Sequence, residues 1–476
     1  MDLLSSNYII VLLGIAIVFH AVPQRWRSMT LAAASALVYA MTSSTAALAF
    51  VASVAGVFLI ARRIDRSSSD LARRLWLALA SVILLLHLVL VKMTSLSAGH
   101  EVTVQVVRWL GILGVSYYTF KLIGYLTDVY WRKYAPWTSF ADFAAFAMFF
   151  PQLFAGPIQR ANEFALNDDG QERAALIRAG MRRMLFGYLK KVVIADRLGA
   201  LVTFIAAHQP AYSNVIWAMS YVYAIQMYAD FSALTDIAIG AAGLFGIRSP
   251  ENFDFPFFAA TISQFWRRWH MTLTRWLADY VFTPLRMSTR NLGEFGLALS
   301  ITVNMVLIGL WHGIAVGYLL FGIVHSAYLI VDTLTAQRRR RFYRSHRQAD
   351  AIMNIVGAIV VFHMVVFALV LFRAESAEGV SYFVRHLLDG SSHPIGALIH
   401  LMNGFGRMQS FLTFLVLLIF AATEVVLFFR SRGSRLLPLF ELSAWPRPLR
   451  WAVYYAGVVL VIALQHTSTS FIYVQF

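Results

Sequence analysis

Long apolar stretches separated by short polar joints run the length of the chain. The clearest stretches are residues 7–22, 46–61, 75–91, 297–310, 355–372, 411–429 and 452–464. A helix crossing a bilayer needs about 20 mostly apolar residues, so with further runs broken by polar residues the pattern predicts roughly ten to twelve crossings. The fold class that follows is all-α: a polytopic membrane protein with re-entrant or interfacial helices where the runs break. The first run lacks the basic flank of a signal peptide, since Asp2 is its only early charge, and no small-residue cleavage site follows. It reads as the first anchored helix. No soluble domain interrupts the pattern, so one domain over 1–476 is expected.

The middle of the chain is less regular. Between 172 and 197, basic residues mix with Leu176, Met181, Leu185, Tyr188 and Val192 at helical spacing, which suits a helix lying at the interface or packed inside the protein. Gly240, Gly243 and Gly246 recur at three-residue spacing. With no preceding strand they are not a nucleotide fingerprint, and a close helix-packing face is expected.

Composition agrees with a lipid-facing surface. The chain is 59% hydrophobic and 13% charged, against about a quarter charged in soluble domains. The net charge of +16 does not call for nucleic acid, because the bases sit in the joints. Arg25 and Arg27 follow the first span, Arg62, Arg63, Arg66, Arg73 and Arg74 the third, and Arg132 and Lys133 the fifth. The joint at 93–102 has only Glu101. Lys and Arg collect in cytoplasmic loops, so the N-terminus is expected outside and the basic joints inside. Arg338 to Arg341 with Arg344 and Arg347, and then Arg430, Arg432 and Arg435, continue that series and leave Phe476 outside. There are no cysteines, which excludes disulfides, thiolate metal sites and a Cys nucleophile. No metal site is expected.

Ionisable groups at membrane depth are costly, and each needs a reason. Ser116, Tyr117, Tyr118, Thr119, Lys121 and Asp128 lie in or beside one apolar run. They line a polar lumen or hydrogen-bond between helices. Around 150–160, Pro151, Gly156 and Pro157 break the helix, which predicts a re-entrant segment or an ordinary loop. Asp230 and Asp236 pair with buried arginines or serve a site. In 263–280, Trp266, His270 and Leu273 share a helical face, as do Trp269, Leu273 and Trp276. Arg267, Arg268 and Arg275 crowd the same stretch, where they anchor at the interface or hold a phosphate-bearing ligand. His312, between Trp311 and Gly313, sits in the apolar run 297–331, with His325 and Tyr328 further along it. It is a packing residue or a general base. No G-x-S-x-G, H-E-x-x-H or Walker loop competes. With no Cys or serine elbow, a neutral histidine taking the proton of an attacking hydroxyl is the economical chemistry.

Several of these blocks resemble the membrane-bound O-acyltransferase (MBOAT) family, and more closely its bacterial alginate O-acetyltransferase branch with D-alanyl-transferring relatives. They are Ser116-Tyr-Tyr-Thr-Phe120, Pro151-Gln-Leu-Phe-Ala-Gly-Pro157, Asp230-Phe-Ser232, Pro250-Glu-Asn-Phe-Asp254, Phe265-Trp-Arg-Arg-Trp-His-Met-Thr-Leu273, Trp276-Leu-Ala-Asp-Tyr280 and Gly309-Leu-Trp-His-Gly313. They run in family order across a core of roughly 110–330. One departure is Pro284-Leu285 leading to Arg286-Met-Ser-Thr-Arg290, where relatives often have Gly-Gly-Asn-Arg. The resemblance implies an MBOAT-like helical bundle with a central tunnel. It implies His312 as catalytic histidine, His270 as the second characteristic histidine, and Arg267, Arg268, Arg275, Trp311, Asp230, Ser116 and Tyr118 along the donor path. It implies transfer of acetyl from acetyl-CoA or an acyl carrier, as co-substrate and with no bound cofactor. It implies passage of the acetyl through the bacterial inner membrane towards an exported polysaccharide by way of an extracytoplasmic SGNH-type partner. D-alanyl transfer to teichoic acid, lipid or protein acylation, and a non-catalytic transporter are the rivals.

Overall fold

The computed structural model describes residues 5–94, 114–153, 156–167, 169–209, 211–346, 350–374, 376–387, 389, 393–433, 445–464 and 471. Among them no strand occurs; α-helices are joined by short 3-10 and π turns. Hydroxyl caps start several helices. Ser43 accepts from the Ala46 N–H at 3.3 Å and Ser139 from Asp142 at 3.2 Å, each satisfying a backbone donor that the helix leaves open.

Seven of the described helices are long and apolar enough to cross a membrane: Ser44–Arg66, Asp70–Lys92, Arg290–His312, Val316–Phe342, Ile352–Ala374, Arg407–Ser431 and Arg447–Leu464. Only 11% and 6% of the apolar windows of the last two are buried. Such faces are stable only against lipid, and the chain is a multi-pass integral membrane protein. The sequence pattern counts ten to twelve crossings because it scores apolar runs regardless of surroundings. Ser6–Ala21 and Val115–Tyr130 have 16 residues each, about 24 Å of helix. Ile216–Leu244 has 29 residues but is buried along most of its length. Most of the 93–102 joint, with Arg347, Arg435 and Phe476, lies outside the described residues.

The chain divides into two compact units. The first holds Met1–Met184, Thr235–Glu251 and Arg275–Pro284. Its core is aromatic: Phe50, Tyr118, Phe143, Phe146, Phe149 and Phe150 are fully buried. A Cβ on Gly240 would stand 2.6 Å from the Gly180 carbonyl oxygen, and one on Gly243 2.9 Å from that of Leu176. The glycine face thus lets two helix backbones touch. Gly246 instead ends its helix at φ +72°, a conformation that suits glycine. The break at 150–160 is buried and stitched by amides. Gln152 Nε2 donates to Gln159 Oε1 (2.5 Å) and Ser249 Oγ (2.7 Å), and Gln159 Nε2 to the carbonyls of Glu163 and Arg248. Residues 154 and 155 of that break lie outside the description.

The second unit holds Leu185–Leu234, Asn252–Thr274 and Leu285–Phe476. Here the apolar run 297–331 is not one span. It folds into a hairpin of Gly293–His312 and Val316–Ser345, with the turn at Gly313. Gly309 and Gly322 let the two arms touch: a Cβ on Gly322 would lie 2.7 Å from the Met305 carbonyl oxygen. His312 is therefore the last residue of its helix.

Candidate active site

The histidine-bearing segment is a broken helix. Thr261 caps Ile262–Trp266, accepting from the Gln264 N–H at 3.1 Å. The helix stops there and resumes at Met271. Between them His270 takes a left-handed backbone, φ 43°, which costs a non-glycine residue on the order of 1–3 kcal/mol. A clasp with 252–254 holds it. Met271 N–H donates to the Asn252 carbonyl (2.9 Å) and Asp254 N–H to the Arg268 carbonyl (3.0 Å).

Asn252 is fully buried, and its side chain sets the histidine. Asn252 Oδ1 accepts from Thr272 N–H at 3.2 Å and from Thr272 Oγ1 at 2.9 Å, and lies 3.1 Å from His270 Nδ1. The Thr272 N–H can only donate, so the amide atom facing it is oxygen. His270 Nδ1 must then carry the proton, and Nε2 holds the lone pair. His270 lies outside the seven spans and is 2% exposed. Burial pushes its pKa down from 6.5 to about 3, so the ring is neutral.

His270 and His312 face one cavity. Its wall is otherwise apolar: Met227, Trp266, Trp269, Leu273, Ile308, Phe321, Leu369 and Phe372. Trp311 stands edge-on to both imidazoles, with centroids 5.6 Å from His270 and 4.9 Å from His312. Phe231 meets the His270 ring edge-on at 4.8 Å, and Phe372 meets His312 at 4.9 Å. Trp266 is held in the wall by its indole N–H, which donates to Nδ1 of the fully buried His325 at 3.3 Å.

The other residues expected on the donor path stand elsewhere. Arg267 is exposed, Arg268 half-buried, and neither lines the cavity; Arg275, exposed, belongs to the first unit. Asp230 pairs not with an arginine but with the buried Lys191, 2.8 Å away, which also meets Asp196 at 2.8 Å. Asp236 does meet an arginine, Arg183, at 2.9 Å. Ser116 is half-buried in the first turn of Val115–Tyr130, and the buried Tyr118 hydroxyl lies 3.0 Å from His87 Nδ1. Ser116, Tyr118 and Asp230 do not line the cavity. The helical faces expected in 263–280 are also redrawn. The kink at His270 keeps Trp266, Trp269 and Leu273 on the cavity, while Trp276 stacks on Phe120 in the first unit at 4.1 Å. Gly313 accommodates a protein ring: a Cβ there would lie 2.7 Å from Tyr318 Cε2. Sequence reasoning assigned no role to Asn252 or His325. The only signal for Asn252 was its place in the 250–254 block; His325 showed only as a second histidine in an apolar run.

Residues 137–373 match the membrane-bound O-acyltransferase family. A peptidoglycan O-acetyltransferase of Helicobacter pylori is 30% identical over 397 residues, 75% of this chain and 72% of that protein. The chain belongs to the membrane-bound O-acyltransferase family. It is similar to a probable alginate O-acetylase of Pseudomonas aeruginosa, 35% identical over 270 residues, 56% of this chain and 49% of that protein. It is also similar to a teichoic acid D-alanyltransferase of Bacillus subtilis, 29% identical over 289 residues, 56% of this chain and 69% of that one. The match thus spans about half the length of the alginate relatives. Every residue lining the cavity falls within the part matched by the O-acyltransferase family, whereas Ser116 and Tyr118 precede it.

Proposed function

We propose that this chain is the membrane component of a polysaccharide O-acetylation system in a bacterial inner membrane. A thioester donor, acetyl-CoA or an acyl carrier, presents its acetyl group from the cytoplasm. The group moves on towards an exported polysaccharide by way of an extracytoplasmic SGNH-type acyltransferase. The observation that carries this reading is the pair of histidines facing one apolar cavity.

In the reaction an acceptor hydroxyl attacks the thioester carbonyl. A C–O bond forms, the C–S bond breaks, and the hydroxyl proton passes through His312 to the departing thiolate. General base catalysis of this kind is typically worth roughly 10²–10⁴-fold. His270, with Nδ1–H engaged by Asn252, offers Nε2 as a fixed acceptor that orients the hydroxyl. The apolar wall excludes water, which would otherwise take the acetyl group.

The wall also favours acetyl over D-alanyl. None of the described residues lining it is an Asp, Glu, Lys or Arg. A D-alanyl group would bring an ammonium into this space with no carboxylate to meet it, and burying an unpaired charge is expensive.

The test is the acetyl content of the exported polymer in cells carrying His312→Ala or His270→Ala at matched protein levels. Loss with His312→Ala is expected while donor binding persists. Near-wild-type acetylation would remove His312 as the base, and the absence of any transfer from a labelled donor by the intact protein would leave a transporter. The proposed topology has its own check. A cysteine placed at the exposed Ser68, in a chain with no native cysteine, should resist impermeant reagents added outside intact cells.

A further inference from the structure

At one end of the second unit the clasp that sets His270 also gathers charge. Arg268 and Asp254 are joined through their backbones at 3.0 Å. The Asp254 carboxylate meets Arg432 at 3.3 Å. Arg432 follows the candidate span Arg407–Ser431 and lies over the Phe428 ring at 5.5 Å, and Phe428 stacks on Phe258 at 4.4 Å. Burial lowers the pKa of Arg268, and the charges of Arg432 and Arg267 lower it further, with Asp254 opposing them. Arg268 and Arg432 therefore share one carboxylate, with the charge of Arg267 acting on Arg268.

Solvated loop arginines would spread apart and keep their donors in water. Arg268 does not. Its Nη1 is buried and has no hydrogen-bond partner among the described residues. A buried guanidinium donor with nothing to bind costs stability, and repulsion between like charges adds to that cost. Both are relieved by an anion with several oxygens, and a phosphate matches the planar guanidinium fork and the surplus charge.

We propose that Arg267, Arg268 and Arg432 form a phosphate-binding site at the end of this span. The site takes the phosphate groups of a soluble ligand such as CoA or the phosphate headgroup of an anionic lipid. It does not depend on the transferase reading, since its test reads binding.

The test uses the full chain in phosphatidylcholine nanodiscs, with and without added phosphatidylglycerol. Two soluble probes are compared: CoA, and pantetheine, which lacks the phosphates. Arg268→Gln and Arg432→Gln should each weaken CoA binding about tenfold, the scale of one charge-assisted hydrogen bond, and leave pantetheine binding unchanged. If the phosphate is a lipid's, the same variants should instead lose phosphatidylglycerol retained in native mass spectra, with CoA binding unaltered. Arg268→Lys, keeping charge but not the fork, should fall between. Asp254→Asn should tighten phosphate binding. Arg178→Gln, at an exposed arginine of the first unit, should change nothing. Folded Arg268→Gln and Arg432→Gln proteins that bind CoA and phosphatidylglycerol as the wild type does would overturn the proposal.

Discussion

The helix Val115–Tyr130 and the broken helix around His270 look alike as sequence: aromatic rings, hydroxyls and ionisable groups set in apolar surroundings. The structure spends them differently. In the first, protein partners take up Tyr118, Lys121, Thr127 and Asp128. Tyr118 meets His87, and Thr127 bonds back to the Ile123 carbonyl at 2.8 Å. Lys121 Nζ donates to the Phe146 carbonyl at 2.7 Å, in the last turn of Phe140–Ala147, where a cation complements the helix dipole. Asp128 pairs with Lys133 at 2.8 Å and accepts from Tyr134 at 3.2 Å. In the second, Asn252 takes one nitrogen of His270, and the ring still faces a cavity with His312. Protein partners meet the cost of a polar group in both cases, but in the second the ring also lines a space. Residue type does not distinguish them; the space beside the ring does.

The sharpest way to break this contrast is to set His312→Ala beside Tyr118→Phe. The first should lower acetyl transfer by roughly 10²–10⁴-fold with thermal stability preserved. The second should keep transfer near wild type and lose only about 1 kcal/mol of stability, one hydrogen bond. A folded Tyr118→Phe protein with no turnover would erase the distinction. Asn252→Ala comes next. It strands His270 Nδ1–H and the Thr272 donors, so turnover should fall on the order of tenfold or more as the ring loses its set tautomer. Unfolding should become easier by about 1–3 kcal/mol. Leu369→Ala enlarges the cavity, and competition between propionyl and acetyl donors should shift about tenfold towards propionyl, the scale of one methylene in an apolar pocket. An unchanged ratio would mean that the acyl group binds elsewhere.

Lys121→Met should behave as a scaffold change. Stability should drop by about 1–3 kcal/mol as the Phe146 carbonyl loses its donor, while the KM for donor stays put. A further test concerns pH. An unfolded imidazole titrates near 6.5, the folded His270 only near 3. The unfolded chain therefore binds the proton first, and stability falls as pH drops through that window, by up to about 1.4 kcal/mol per pH unit. His270→Asn should flatten the slope of melting temperature against pH between those values.

Much was settled by the sequence alone. Hydropathy and length dictate helices that need lipid around them, because an apolar run of that length has no cheaper environment. The glycines at 240 and 243 announced a close crossing, because only a missing Cβ lets backbones touch. The pairing of Asp236 with an arginine was legible for a similar reason, since even a half-buried carboxylate gains by meeting a cation. The site was legible as a set of residue types, His270, His312 and Trp311, but not as a place. Helical periodicity carries a face straight through 263–280, and it cannot foresee the left-handed turn at His270 that sends Trp276 to the first unit. Nor can it foresee that Asn252, 18 positions earlier, sets the tautomer, or that Asp230 is met by a lysine. Those are contacts between segments far apart in the chain, and their energies depend on distance and burial. Only the folded structure supplies either one.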